Sequence, residues 1–482
     1  MPWVEPNRHG WIIHPRDDAG WEALLREYGG DFPEPLQRVL QVARDGGCST
    51  VVVENRYVDL DYRSEYSAFW SLRFESPSPF ARRMHFFRAE LRDEQIHALD
   101  EAAAGYLGYS ILKPLSAGAV GRTVLQPPPT LTSATLATVE DQVSLFGNRL
   151  RVRGVPFVQQ DGEYLRCAHA AAWICHYTAH LRGLVGRHTT ASIVDQTPSL
   201  LSAHRALPSK GMNLNQLQAV FGALGQPALF YGLSNMPRVR GVADPLPAVG
   251  KNGKVLAAGH WDTRLFSVIC RYLNSGFPVL IGGQDHAFAL VGWFREGDEV
   301  RFVACDDQKG PYEIIDSPFT HYKAPWHSIM VPLPPKVFLT GESAENAAYE
   351  LFLAYGLNFP PLRPMADGLR AGTLQLRSSL KEVRAFKEEV QAQTTSDEVL
   401  RALRLARLPH YLWTVEAHDT AQCGAGPCVY ATALYDSTSY DRSATLNILS
   451  LPGVVGVYPP DGGGPVVVSG GGAPWQSMLT AH

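Results

Sequence analysis

Residues 286–307, HAFALVGWFREGDEVRFVACDD, constrain this chain more than any other stretch. Two apolar runs flank REGD, a short polar segment carrying Gly297, and that pattern folds as a β-hairpin. Antiparallel sheet is thereby fixed in the middle of the chain. A fold about residues 296–297 sets His286 across from Asp306 or Asp307, with opposed Cβ atoms about 5 Å apart. A carboxylate there selects the imidazole tautomer and supports the imidazolium. A hairpin whose ends merely carry polar residues is the plain alternative. Asp285 adjoins His286 along the strand and so points to the other face.

A second constraint is QQDGEYLRCAHAAAWICHYTAH, residues 159–180. A helix over 167–181, turning about 100° per residue, sets Ala171, Ile174, Thr178 and Leu181 near the Cys167 direction and His169, His176 and His180 roughly opposite. No histidine of this helix can therefore serve Cys167 as a base. His176 and His180 have the spacing of two imidazoles on one metal, but the segment lacks the glutamate of a zinc peptidase and a third ligand, so the three read as a polar face. Cys175 lies inside the helix, where a thiol behaves as a small inert hydrophobe. Cys167 differs, because irregular QQDGEYLR leads into the helix and leaves that thiol at its N-terminus. There the helix dipole and free amides favour a thiolate, and with an imidazolium beside it such a thiol falls from about 8.5 to about 3 or 4. An ordinary cysteine in an Ala-rich core helix also satisfies this segment taken alone. The histidine and aspartate of the hairpin supply what the thiol lacks.

Proline punctuation divides the chain. QPPPTLTSAT (126–135) and VPLPPKV (331–337) cannot continue a helix or a central strand, since proline lacks the amide donor and fixes φ. The expected organisation is an N-terminal α/β lobe over 1–135, a central domain over 136–335 and a C-terminal α+β domain over 336–482, with the Gly-rich tail PPDGGGPVVVSGGGAPW as a flexible end. The first lobe alternates helical GWEALLREYG and EPLQRVLQVARD with strand-like STVVVE, GYSILKPL and GRTVLQ. The last combines helical AENAAYELFLAYG, LKEVRAFKEEVQ and DEVLRALRLARL with strand-like HYLWTVEAH and CVYATALYD. DLDYRSEYSAFW (59–70) has neither period and reads as a loop packed on the middle domain, with a partner surface as the alternative. CGAGPC (423–428) lacks two further zinc ligands and reads as a glycine-rich loop.

Composition narrows the partners. The net charge of −4, with 43 basic and 47 acidic residues interspersed, gives no electrostatic reason to bind nucleic acid or an anionic membrane. The first residues lack the apolar core of a signal peptide and no run of about 18 apolar residues occurs, so a cytoplasmic protein is expected. Seven scattered cysteines point to reduced thiols, and basic residues that are mostly arginine fit a GC-rich bacterial genome.

Gln, then Cys at a helix start, then far downstream HAFALVGW and ACDD: this order resembles the papain-like cysteine peptidase superfamily, especially bacterial bacteriocin-processing-type peptidases. The resemblance covers roughly residues 150–330. It implies an α+β fold in which an N-terminal helix packs on an antiparallel sheet. It also implies Cys167 as nucleophile, His286 as general base and acid, Asp306 in preference to Asp307 as the orienting residue, and no cofactor or metal. Gln160 fits the oxyanion-hole glutamine, with Gln159 as a near-equal alternative, and the Cys167 backbone N–H is the second donor. Ala168 and His169 depart from the small residues common after the cysteine in that family, and Trp173 reads as helix packing. The implied reaction is hydrolysis of a peptide or isopeptide bond in a protein or peptide substrate. The same residues also serve acyl transfer, transglutamination and deamidation, while a silent papain-like module using its large flanks to meet a protein partner is the non-enzymatic alternative.

Overall fold

The computed structural model describes residues 10–99, 104–197, 211–232, 263–283, 286–296, 299–316, 326–393, 396–419, 429–439, 444–460 and 462–469. It is a mixture of helices and sheets, and every strand pairing among the described residues is antiparallel. The chain forms two compact units: residues 1–232 with 276–334, and residues 233–275 with 335–482. No helix among the described residues is long and apolar enough to cross a membrane.

The first unit holds two sheets. One runs β1 (Gly10–Ile13), β2 (Thr50–Tyr57), β3 (Ala81–Phe87), β4 (Tyr106–Leu112), β5 (Val120–Leu125), then β8 (Asn148–Phe157) and β7 (Val139–Leu145), with β6 (Thr135–Leu136) outside it. The QPPPTLTSAT segment therefore links strands of the same sheet and does not separate two units. Proline ended the strand there without ending the sheet, because β8 returns to pair with β5. The N-terminal lobe is likewise antiparallel, not α/β. The expected loop at 59–70 is in fact the helix Leu60–Ala68, capped by Asp59, whose side chain accepts from the Tyr62 amide at 3.0 Å. Its buried positions include Asp61 and Glu65, so its pattern carries no apolar period to read.

The second sheet orders β13 (Gly310–Ile315), β12 (Glu299–Asp306), β11 (Ala287–Glu296), β10 (Val279–Gly283), β14 (Trp326–Pro332) and β9 (Ala228–Gly232), with β6 added on β11. The hairpin β11–β12 turns slightly later than its sequence suggests: Glu296 pairs with Glu299 and Gly292 with Val303, then a bulge shifts Leu290 onto Ala304. Gly297 lies outside the described residues. Gly292 sits where β6 crosses, and a Cβ on it would come within 2.3 Å of the Leu136 side chain.

Between these sheets runs the helix Cys167–Leu181, buried at every position from Ala168 to Ala179. A helix apolar nearly all round must be covered on all sides, and its run of alanines lets β10, β11 and β12 approach one flank and β7 and β8 another. Tyr312 joins the layers: its hydroxyl donates to the Leu125 carbonyl at 2.7 Å and accepts from the Val155 amide at 2.8 Å, filling a gap between β5 and β8. Gly154 is required beside it, since a Cβ would come 1.9 Å from the Leu125 carbonyl oxygen.

The second unit is built on the sheet β15 (Leu374–Glu382), β16 (Tyr411–Asp419), β17 (Val429–Asp436), β18 (Leu446–Leu451), β19 (Val454–Val457) and β20 (Val466–Ser469). Phe386, Val390, Val399 and Leu403 from its helices pack on Leu412, Leu434 and Ile448. Leu380–Glu382, expected to begin a helix, end strand β15, because full pairing with β16 outweighs local propensity. Part of the glycine-rich tail is ordered as β20. The helix Thr263–Asn274 belongs here as well and not to a continuous central domain over 136–335: buried Arg271 meets Glu342 at 2.8 Å and Glu345 at 2.9 Å, and Tyr272 packs edge-on against Trp413. The Cys423 and Cys428 loop lies outside the described residues.

Candidate active site

Cys167 is the first residue of its helix, following Arg166, whose backbone is extended (φ −109°, ψ 168°) and whose N–H donates to His169 Nδ1 at 3.3 Å. The approach to this point is braced by Asp161, which is buried. One of its carboxylate oxygens accepts from the amides of Glu163, Tyr164 and Leu165 at 2.8, 2.7 and 3.1 Å. Phe69 stacks on Tyr164 at 5.3 Å, and Arg73 meets Glu163 at 3.0 Å, so the segment that ends the helix Leu60–Ala68 clamps the outer side of the loop. The Cys167 side chain remains partly accessible, whereas Cys48, Cys175 and Cys305 are buried. Burial pushes the thiols of Cys48 and Cys305 up to about 12 and raises that of Cys175 as well.

His286 stands just before β11. Its Nε2 is 3.2 Å from both carboxylate oxygens of Asp306 and 3.7 Å from Asp307. Carrying the observed register onward sets position 308, and not 306 or 307, across from 286. Asp306 is the diagonal neighbour on the same face, within reach of a long side chain. The directly opposed residue, Gln308, places its Nε2 3.3 Å from His286 Nδ1. Asp307 begins the turn after β12 and is thereby freed from strand alternation, which is how both acids approach one ring. Asp306 also accepts from the Gln308 amide at 2.9 Å, and the ring stacks on Phe288 at 6.1 Å.

The Cys167 thiol lies within hydrogen-bonding reach of the same imidazole. Burial disfavours charge on His286, but the hydrogen bonds to Asp306 and Cys167 and the charges of Asp306 and Asp307 prevail and hold its pKa at about 10. The ring is an imidazolium at neutral pH. Among the described residues, Asp306 and Asp307 are the acids beside it.

The two glutamines separate cleanly. Gln159 is buried and occupied on both sides: Oε1 accepts from the Val120 amide at 2.9 Å and Nε2 donates to the Phe32 carbonyl at 3.2 Å. Gln160 is half-buried, and its side chain borders Asp307. Its backbone is set by Gly118 (φ +74°), where a Cβ would fall 2.6 Å from the Gln160 carbonyl oxygen. His286 and Asp306 thus meet directly, while Cys167 acts on the imidazole and Gln160 borders Asp307.

The histidines of the helix have other employment. His176 contacts the Gln226 side chain and the Gly186 carbonyl, each at 3.1 Å, His169 lies 3.3 Å from Thr197 Oγ1, and His180 lies 3.2 Å from the Val185 carbonyl. Burial lowers His169 and His176 to about 4, which keeps them neutral. Trp173 is buried, stacks on Tyr177 at 4.6 Å and reaches Asp61 with Nε1 at 3.3 Å, a packing role. Among the described residues, His286, Asp306 and Asp307 form a group close enough to share a cation, all within 4.8 Å. A proton on His286 already answers both acids there. Asp285 lies outside the described residues.

Three contributors were not read from the sequence. Asp161 carried a signal, since Asp-Gly after the glutamine pair is a turn signature whose aspartate caps following amides. Gln308 would have required the bulge to be known, and Gly118 is recognisable only in three dimensions. No protein-family model matches this chain, and no curated protein matches it.

Proposed function

We propose that this chain is a thiol hydrolase of papain-like design that cleaves a peptide or isopeptide bond through an acyl-enzyme. One observation carries the reading: an imidazolium held 3.2 Å from Asp306 faces a helix-N-terminal thiol within hydrogen-bonding reach. The helix Cys167–Leu181 laid on the sheet β9 to β14 supports it. The Cys167 thiolate attacks the substrate carbonyl and forms the C–S bond. The developing oxyanion accepts from the Gln160 amide and the Cys167 backbone N–H. The His286 imidazolium protonates the departing amine as the C–N bond breaks, and the neutral ring then takes a proton from water as water opens the thioester. Asp306 holds the ring and offsets its charge through both steps.

The test is alkylation by iodoacetamide followed by peptide mass spectrometry. Cys167 should be modified first, ahead of buried Cys48, Cys175 and Cys305, and His286→Ala should abolish that preference. A protein whose accessible thiols all react at one rate, unaffected by His286→Ala, would remove the basis for the proposal.

A further inference from the structure

Asp307 is 3% exposed, and neither of its carboxylate oxygens has a hydrogen-bond partner. A buried carboxylate without such partners is among the most unfavourable groups a fold can hold. The His286 charge offsets it across 3.7 Å without a hydrogen bond, whereas Asp306 meets the same nitrogen with both oxygens at 3.2 Å. One acid therefore suffices to hold the ring, and the second has its lone pairs unused. His286 Nε2 and one oxygen from each aspartate lie within 4.8 Å of one another, a donor set of one imidazole and two carboxylates. An ion bonded at about 2.0–2.1 Å, the zinc distance, holds tetrahedral ligands about 3.3–3.4 Å apart. The observed separations from Nε2, 3.2 Å and 3.7 Å, come near that spacing. Calcium takes about six to eight oxygen ligands, which this group does not offer, whereas imidazole with carboxylate suits zinc. The surroundings suit a cation too. The Gln308 amide donates to Asp306 at 2.9 Å, and the Gln308 side chain lies 3.3 Å from Nδ1, where its amide, turned over, would accept the Nδ1 proton of a metal-bound imidazole. His286 is half-buried and Gln308 exposed, so the group meets solvent on their side. Formal charge agrees: an imidazolium among two carboxylates leaves one negative charge over, and a divalent cation with a neutral imidazole leaves none.

We propose that His286 Nε2, Asp306 and Asp307 bind a divalent cation of the zinc class, and that this ion inhibits Cys167 instead of assisting it. The inhibitory half rests on the hydrolase reading, and the binding half stands without it. Asp307 makes the difference, because His286 and Asp306 alone would be two ligands, too few for such an ion. As the nitrogen–metal bond forms, the Nε2 proton leaves to solvent, and nothing is oxidised or reduced. A ring whose Nε2 lone pair is held by a cation cannot become the imidazolium that supports the Cys167 thiolate. Asp306 then serves the ion and no longer the ring. Loading with the cation closes the chemistry of the thiol, and its removal reopens it.

The test is zinc chloride titrated into the metal-free full chain, followed by isothermal titration calorimetry. Asp307→Asn should weaken binding by at least about 100-fold, the upper end of what loss of an outer-shell partner costs. It keeps the shape of the side chain, and its urea transition checks that it is folded. Cys167→Ser should bind zinc as wild type does, since sulfur is not among the ligands. In wild type, Co²⁺ in place of Zn²⁺ should give ligand-field bands without a sulfur-to-metal charge-transfer band, a readout that needs no variant. Saturating zinc should slow iodoacetamide alkylation of wild-type Cys167 about 10-fold or more, because a thiol near its ordinary pKa of about 8.5 is only a few per cent thiolate at about pH 7. EDTA should restore the rate. Asp307→Asn, whatever its own rate, should alkylate equally with and without zinc at that concentration. Absence of zinc binding to wild type, equal affinity in Asp307→Asn, or loss of binding in Cys167→Ser would overturn the inference and leave the hydrolase reading standing. Zinc bound as expected with alkylation unslowed would overturn the inhibitory half. Absence of selective alkylation of metal-free Cys167 would instead fell the hydrolase reading and the inhibitory half with it, and the titration would still decide the site.

Discussion

Asp306→Asn tests the charge relation at the centre of the site without changing its shape. A unit charge at 3.2 Å from the imidazolium contributes about 5 kcal/mol at an effective dielectric constant of about 20. Asparagine keeps a weak acceptor and Asp307 remains at 3.7 Å, so about half of that should be felt. The ring, held at about 10 in the native protein, should then titrate roughly 2 pH units lower, since 1.36 kcal/mol corresponds to one unit. The thiolate–imidazolium pair loses the same free energy relative to the neutral pair, about 10²-fold in population. The assay is the rate of Cys167 alkylation by iodoacetamide from pH 4 to 10, with the imidazole followed by NMR. Asp306→Asn should alkylate more slowly than wild type at pH 7, and its imidazole should titrate roughly 2 pH units lower. If the variant keeps the wild-type rate and an unmoved imidazole titration, the ion pair does not depend on Asp306 and the reasoning fails.

Arg122 is buried among Asp59 (2.8 Å), Asp61 (3.6 Å) and Asp141 (3.9 Å), and its guanidinium also donates to the hydroxyls of Tyr109 and Tyr177 at 3.1 Å. Arg122→Met fills the volume but strands these acids, so urea unfolding should show a loss of about 3–5 kcal/mol, and a loss below about 1 kcal/mol would mean the acids are neutral in the native protein. Gly118→Ala adds a Cβ 2.6 Å from the Gln160 carbonyl oxygen in left-handed backbone. About 1–2 kcal/mol of stability should go, together with acylation by p-nitrophenyl acetate, while iodoacetamide still labels Cys167; equal loss of both reactions would point to general unfolding. Asp307 also links pH to stability. An acid whose folded pKa, about 7, lies above its unfolded value of about 4 binds more protons in the native state across that window, so its contribution falls as pH rises from about 4 to 7 and is flat above. The melting temperature of Asp307→Asn relative to wild type should climb across that range and then level, and a constant difference would contradict the raised pKa.

The helix Cys167–Leu181 and the hairpin strands were legible because each is governed by local pattern: an alanine-rich run behind an irregular loop, and two apolar stretches about a polar turn. Register was less so. The bulge between Leu290 and Gly292 arises where β6 crosses Gly292, a contact with residues over a hundred positions away that no window of sequence contains. The imidazole meets Asp306 regardless, because a diagonal partner on the same face is as reachable as an opposed one. The choice between Gln159 and Gln160 was likewise tertiary: the Val120 amide and the Phe32 carbonyl decide it, and both come from the first 125 residues.

That last dependence changes what the N-terminal lobe is. Read by its prolines it is a flank that could be removed, yet its residues contact the segments that carry the candidate site. Phe32, Gly118 and Val120 set the glutamine pair, Phe69 and Arg73 clamp the loop before Cys167, and Asp61 holds Trp173 inside the central helix. Arg38 grips the backbone carbonyls that follow the Asp306–Asp307 turn, and a Cβ at Gly310 would come 2.5 Å from its side chain. Strand β5 pairs with β8, so cutting the chain near residue 135 would leave β8 with an open edge and the buried face of the central helix without its cover. A fragment starting at residue 136 should therefore fail to fold cooperatively. Circular dichroism and urea unfolding would show it, and a sharp transition with selective Cys167 alkylation in that fragment would prove the lobe dispensable.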